Sequence, residues 1–332
     1  MLRKNWLMAV LYSPALLLLG VFISIRYGAA EISFQDVWHA IVHYSPDNLS
    51  DNIIVTSRLP RALGSILIGC LLGASGAIMQ GVTRNYLASP SIMGVSDGSA
   101  LFVTIAMIFF ARSSVELMIC SFIGSLAATC LVFGMAKWVP GGMQPVRLAI
   151  LGLVVGTFFS SVATGIAIYF KMAQSVSFWY NARLDQMDLS VIKLALPWAA
   201  LGLLMALFLS KSVTILSLGE ETASNLGMKT GLVKGIAMIS VALMTGASVA
   251  IAGSIAFIGL IIPHIVRYLV GTDYRWIIPC SGLMGGIFLC FADIASRFVN
   301  HPYETPITVV ISLICIPFFI YLVYKKGGKH GV

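Results

Sequence analysis

The residues of this chain that could do chemistry are few, and the densest group lies at residues 216–228, reading L-S-L-G-E-E-T-A-S-N-L-G-M. Ser217 precedes Glu220 by three residues, the spacing of a capping box, in which a hydroxyl and a carboxylate satisfy free amides at a helix start. Gly227 falls where a left-handed residue would close that helix. Leu218, Thr222 and Leu226 share one face at i, i+4, i+8, and Glu221 and Asn225 share another. The pattern predicts a short capped helix, too polar to lie in lipid. Such a helix presents a small rigid face to a partner, or is a loop helix with no partner at all.

Charged side chains elsewhere admit two readings each. Arg58 and Arg61, in R-L-P-R, place two guanidiniums at one end of an apolar stretch. Guanidinium geometry suits bidentate carboxylate recognition, so the pair could dock an acidic patch of an external partner. Interfacial anchoring among lipid headgroups is the plainer alternative. Arg297 ends another apolar stretch and could join the same rim. Asp293 stands four residues before it, which suits an i, i+4 ion pair as well as a proton relay. His264 follows Pro263 and reads as a structural cap or interfacial residue before it reads as a metal ligand.

Some chemistry has no residues to carry it. The sequence has no G-x-x-x-x-G-K-[ST] phosphate loop, no H-E-x-x-H and no nucleophile elbow. No set of catalytic residues clusters, and nothing calls for a cofactor or a bound metal. The six cysteines all fall inside apolar stretches without C-x-x-C spacing, so they read as small core residues. Successive buried acids and bases of the proton-coupled kind are also lacking. A chain with no evident energy source of its own, but with a capped helix suited to docking, is expected to draw on a partner.

The elements that must hold these residues are set by composition. Of 332 residues 58% are hydrophobic and only 10% charged, with mean hydropathy +0.94. A soluble domain carries roughly 25% charged residues. The fold class is therefore all-α and polytopic in a lipid bilayer, because helices satisfy their own backbone groups there. Ten spans are expected, at about 6–25, 62–82, 93–111, 115–137, 146–170, 191–209, 232–252, 255–270, 277–298 and 307–324. The first of these is read as an uncleaved span. With both termini cytoplasmic, the inner segments hold thirteen of the 21 Lys and Arg but only four of the 13 Asp and Glu. That asymmetry fixes the orientation. It also accounts for the net charge of +8 without nucleic acid.

Outside lie two long loops. One, over residues 26–61, carries Trp38, His39, His43 and Tyr44, and the other spans residues 171–190. Gly69, Gly73 and Gly76 form a face that permits close helix approach. Residues 73–100 and 253–267 are each broken by Gly, Ser or Pro, as transporter helices that line a pathway often are, although a tight re-entry turn would read the same. Their correspondence suggests one transmembrane domain over residues 1–332, with halves at about 58–170 and 211–324 related by an inverted repeat.

Five segments together resemble a known family. They are R-L-P-R at 58–61, G-A-x-M-Q-G-x-x-R-N-x-L-A-x-P-x-x-x-G-V at 76–95, L-G-E-E-T-A-x-x-L-G at 218–227, F-I-G-L-I-I-P-H-I-x-R at 257–267 and A-D-I-x-x-R at 292–297. In order and over nearly the whole chain, they are similar to the iron-siderophore/vitamin B12 (FecCD-type) permeases of ATP-binding-cassette importers. The resemblance implies a ten-span fold in a bacterial cytoplasmic membrane, a second permease subunit (identical or related), a dimer of cytoplasmic ATPases and an extracellular or periplasmic substrate-binding protein. It implies that Leu218, Gly219, Glu220, Glu221, Ala223, Leu226 and Gly227 couple the chain to the ATPase. By the same likeness Arg58, Arg61 and Arg297 face acids of the binding protein, and Gln144, Pro145 and Val146 match a cytoplasmic gate region. The loop after the fifth span departs from the family's W-x-x-G-S-L-like segment, reading F-W-Y-N-A-R-L-D-Q-M. The implied cargo is an iron–siderophore complex, with cobalamin or haem as the alternative. A secondary transporter driven by an ion gradient is the alternative of a different class.

Overall fold

The computed structural model describes residues 2–28, 32–110, 113–139, 141, 144–180, 184–300 and 303–327, and among these residues no strand occurs. Helix α1 (Leu2–Arg26) leads to a short α2 (Phe34–Val42) and to α3 (Leu49–Ile53). A π-helical turn, Ile54–Arg58, joins α3 to α4 (Leu59–Thr83), whose Pro60 sits in the first turn, where no intrahelical N–H is needed. A 3-10 turn, Pro90–Met93, precedes α5 (Val95–Phe109). Then come α6 (Ser114–Trp138), α7 (Pro145–Tyr169), α8 (Ala173–Tyr180) and α9 (Leu189–Ser217). The chain closes with α10 (Glu220–Asn225), α11 (Thr230–Ala252), α12 (Ile258–Val270), α13 (Tyr274–Phe298) and α14 (Ile307–Gly327).

Each expected span overlaps a helix, but the bounds and lengths differ. Among the described residues six helices are long and apolar enough to cross a membrane, while four apolar stretches are shorter: Tyr12–Arg26, Val95–Phe109, Ile258–Val270 and Ile307–Phe318. Helices α5 and α12 are short because each starts at a break. Gly94 (φ 68°) turns the chain into α5, and Phe257 (φ 69°) stands before α12. The two breaks meet, since a Cβ on Gly259 would lie 3.1 Å from Pro90 Cδ. Ser89, Ser91, Thr245 and Ser248 line a cavity of about 20 Å³ between them. The segment 181–183 of the loop after α7 lies outside the described residues.

Helices α4 and α13 form the centre of the bundle. A Cβ on Gly69 would overlap the carbonyl of Gly285, one on Gly73 that of Ser281, and one on Gly76 that of Gly259 on α12. These glycines let backbones touch, which is how helices associate where lipid leaves no hydrophobic drive between them. Gly73→Leu is expected to force the α4–α13 pair apart at a cost of about 1–3 kcal/mol or more. A lowered thermal midpoint of the detergent-purified chain is the check, and an unchanged midpoint would contradict this packing.

Candidate functional site

Polar residues concentrate at the two ends of the bundle. At one end, α9 continues through Ser217, two turns beyond the expected end of its span. Ser210, Thr214 and Ser217 turn their hydroxyls back to the carbonyls of Leu207, Ser210 and Thr214, so these polar residues do not stop the helix. The expected capping box at Ser217 is therefore absent. Gly219 takes the cap position of α10, with φ 138° and ψ 147° and no side-chain cap. That backbone region is almost confined to glycine.

Glu220 is used differently. Its carboxylate accepts from Lys234 Nζ at 2.8 Å, one turn into α11, and from Thr230 Oγ1 at 3.4 Å. Lys234 is buried, and its hydrogen bond holds the Glu220 carboxyl below its ordinary value of 4.5. Gly227 does close the helix left-handed, at φ 78°. The Gly227 N–H donates to the Ser224 carbonyl and the Met228 N–H to that of Ala223, the paired bonds of a Schellman stop. Ala223 and Gly219 face inward, while Leu218, Glu221, Thr222, Asn225 and Leu226 face out. Leu218 and Leu226 are 70% and 68% exposed, a large apolar display on so short and polar a segment.

Nearby, Gln80 joins α4 to α12: its Nε2 donates to the Leu260 carbonyl (2.9 Å), and its Oε1 accepts from Arg267 Nη2 (2.9 Å). The Arg267 guanidinium lies 4.2 Å over the Tyr86 ring. Thr214 accepts from the Tyr274 N–H, and its single hydroxyl proton is shared between the Ser210 carbonyl and Asp273, which caps α13. His264 is buried with its ring edge-on to Tyr268, 5.3 Å between centroids.

At the other end, Arg58, Arg61 and Arg297 are all buried, between 6% and 8% exposed. Arg58 Nη1 donates to the carbonyls of Ile25 (2.6 Å) and Arg26 (2.9 Å) at the end of α1. Arg297 donates to the carbonyls of Ser24 (2.8 Å) and Tyr27 (3.0 Å) and pairs with Asp293. Arg61 grips Asp293 through Nε and Nη2, and through Nη1 reaches Glu304 at 2.7 Å. Asp293 is thus an ion-paired carboxylate shared by two arginines. Glu304, half exposed, was not singled out from the sequence. Arg61, Asp293 and Glu304 form one wall of an open cavity of about 750 Å³, completed by Phe178, Leu184, Asp185 and residues 305–309.

Gln144, Pro145 and Val146, expected at a gate from the resemblance alone, stand at the opposite end of α7 from Phe170. Gln144 caps α7 in extended conformation, and Val146 is exposed. Helix α7 is the least buried of the six long apolar helices, leaving Ile150, Leu153, Val154 and Phe158 open.

Sequence reasoning missed Lys234, Gln80 and Glu304. Lys234 had a signal: a lysine one turn inside an apolar span needs a counter-charge, and Glu220 is the acid its helix faces.

Comparison with known proteins is consistent along the whole length. Residues 16–325 match the FecCD transport family. The chain is 51% identical over 333 residues to the iron-uptake system permease protein FeuB of Bacillus subtilis (strain 168), covering 100% of each. It is 51% identical over 312 residues to the iron(3+)-hydroxamate import system permease protein FhuB of the same organism, covering 94% of this chain and 81% of that one. A solved structure assigned to the metal-chelate type of ABC transporter, in an inward-facing conformation, superposes with a TM-score of 0.84 at 28% identity, over 97% of this chain and 99% of that one.

Proposed function

This chain belongs to the FecCD transport family, and from that premise we propose that it is the permease subunit of an ATP-binding-cassette importer for an iron–siderophore complex, set in the bacterial cytoplasmic membrane. It is a transport subunit and not an enzyme, and ATP is hydrolysed on a partner chain. The observation that carries the cargo class is the full-length 51% identity to a permease described as an iron-uptake protein.

In this reading the helices make ten crossings with both termini cytoplasmic, as two inverted halves. The halves find support in equivalent packing: α4 lies on α13, as its counterpart α11 lies on α6. The exposed edge Leu218, Glu221, Thr222, Leu226 seats in an ATPase subunit, and the Lys234–Glu220 bond passes its displacement to α11. Helix α11 packs on α4, α6 and α9 and ends at the break beside α12, so a push at α10 arrives where the pathway is discontinuous. The residues around Gln144, Pro145 and Val146 gate the inner mouth, and the open face of α7 meets a second permease subunit. The outer cavity, of a size suited to a compact organic ligand, receives cargo from an external binding protein.

Docking by the arginines takes a more specific form than an open rim. Among the described residues Arg61 holds an exposed carboxylate, Glu304, so an acid of the binding protein engages it by displacing Glu304. Arg58→Glu with Arg61→Glu is expected to lower binding-protein affinity by about tenfold or more. Recovery with a charge-reversed binding protein identifies the contact, and wild-type affinity in the double variant removes it.

The reading as a whole is tested in proteoliposomes holding the purified permease, its co-purifying ATPase and the binding protein. Uptake of a ferric siderophore is expected only with ATP inside. Uptake that persists without ATP under an ion gradient, or failure to co-purify with any ATPase, would overturn it.

A further inference from the structure

Helix α2 has no part in the importer scheme, yet it is built with care. Ser33 Oγ accepts from the Asp36 N–H at 3.1 Å, and the Asp36 carboxylate accepts from the Ser33 N–H at 3.2 Å, a complete capping box. At 100° per residue its apolar residues span one continuous arc, and that arc is divided. Val37 and Ala40 are buried with Ile25, Ile32 and Ile54. Phe34, Trp38 and Val42, at i, i+4, i+8, form the adjoining edge and stand 59%, 62% and 48% exposed. Gln35, Asp36 and His39 take the remaining, polar side. Two bare aromatic rings in line on one helix are costly to leave in water.

Their level along the bundle decides what covers them. The Phe34 ring packs on Phe22 of α1, with centroids 5.8 Å apart. Phe22 lies one turn short of the end of α1, and the Ile32 N–H donates to the Arg26 carbonyl at that end. One turn deeper on the same face of α1, Leu18 is 72% exposed. Leu18, Phe22, Phe34 and Trp38 therefore make an unbroken apolar line from the wall of a membrane span onto α2. The Phe34 ring packs at a level about one helical turn, ~5 Å, inside the span's end. That is the depth at which amphipathic helices lie and where Trp is favoured. The stripe itself carries no charge for a protein partner; Arg26, one turn beyond Phe22 at the end of α1, holds its guanidinium 5.3 Å over the Tyr27 ring, and Arg58 is turned to the carbonyls of Ile25 and Arg26.

We propose that α2 is an interfacial helix whose Phe34–Trp38–Val42 edge is seated in the headgroup–acyl boundary of the bilayer, so that the outer end of α1 and the Arg58 cluster are held at a fixed depth. The inference needs only that α1 spans a membrane, and it stands whatever the cargo.

Trp38 reports on it directly. The full chain, in complex with its ATPase, is placed in nanodiscs of phosphatidylcholine and phosphatidylglycerol, and the emission of Trp38→Phe is subtracted from that of wild type. The difference component is expected to fall about twofold with lipids brominated near the glycerol end of the acyl chain. It should fall less with bromines near the terminal methyl, and little with aqueous acrylamide. Adding the external binding protein should leave it unchanged. Phe34→Glu, which keeps Trp38, is expected to weaken the bromolipid quenching, and this second variant holds the test if the first misfolds. A component quenched by acrylamide but by neither bromolipid would overturn the proposal. So would one shielded from every quencher, as under a second copy of the chain, or one that becomes protected only when the binding protein is added.

Discussion

Asp293→Ala is expected to cost the fold about 3–5 kcal/mol, the penalty for breaking a buried ion pair and stranding its partner. Here two partners are stranded. Asp293 is fully buried and accepts from Arg61 at 2.8–3.1 Å, and it also pairs with Arg297. Without it, Arg61 retains only Glu304, and Arg297 retains the hydroxyl of Ser24 with the carbonyls of Ser24 and Tyr27. Against a total stability of roughly 5–15 kcal/mol, such a loss is a large part of the whole. The expected readout is a marked fall in folded, monodisperse protein and in its thermal midpoint. Asp293→Asn should fall between, because it keeps acceptor capacity but not charge.

A triple variant, Asp293→Leu with Arg61→Met and Arg297→Met, separates stability from function. Replacing an entire buried ion network with apolar residues is often neutral or stabilising, so the triple should fold better than the single. If it also lost binding-protein docking, the network would be retained for docking and not for the fold. A wild-type midpoint in Asp293→Ala would remove the network from the account of stability altogether.

The reasons some features were legible and others not are physical. Helix positions, the Gly69–Gly73–Gly76 contact face, the left-handed Gly227 and the Asp293–Arg297 pair all depend on neighbours within a few residues, and a sequence displays those. The burial of Arg58, Arg61 and Arg297 does not. At the end of a span an arginine reads as exposed, and only the fold brings Asp293 to Arg61 across 232 residues and the end of α1 to the other two guanidiniums. The Ser217 cap failed because a serine hydroxyl can equally bond back within its own helix, and here the carbonyl of Thr214 took it. Helix α2 had a signal, Ser33-x-x-Asp36 ahead of apolar residues at helical spacing. In a loop rich in His and Tyr it was too short to stand out.

Charge reversal at α10 should divide its two acids into different jobs. Glu221 is exposed, so Glu221→Lys is expected to weaken ATPase docking and leave Lys234 undisturbed. Glu220→Lys and Lys234→Glu each break the strut to α11 and place like charges together. Each should lower the uptake obtained per ATP hydrolysed while the ATPase still binds. The double swap rebuilds the bond in reverse and should recover most of the coupling. The size is bounded: Glu220 is half exposed and screened, so the pair contributes at most about 1 kcal/mol, roughly a fivefold effect. The sign with pH follows from the depressed Glu220 pKa. The pair's contribution is complete above the ordinary value of 4.5 and is lost as pH falls through the lower folded value. Coupling should therefore stay level from neutrality down to about pH 5 in wild type. If the double swap were no better than either single variant, displacement at α10 would have to reach α11 by packing alone, through Ala223 and the turn at Gly227.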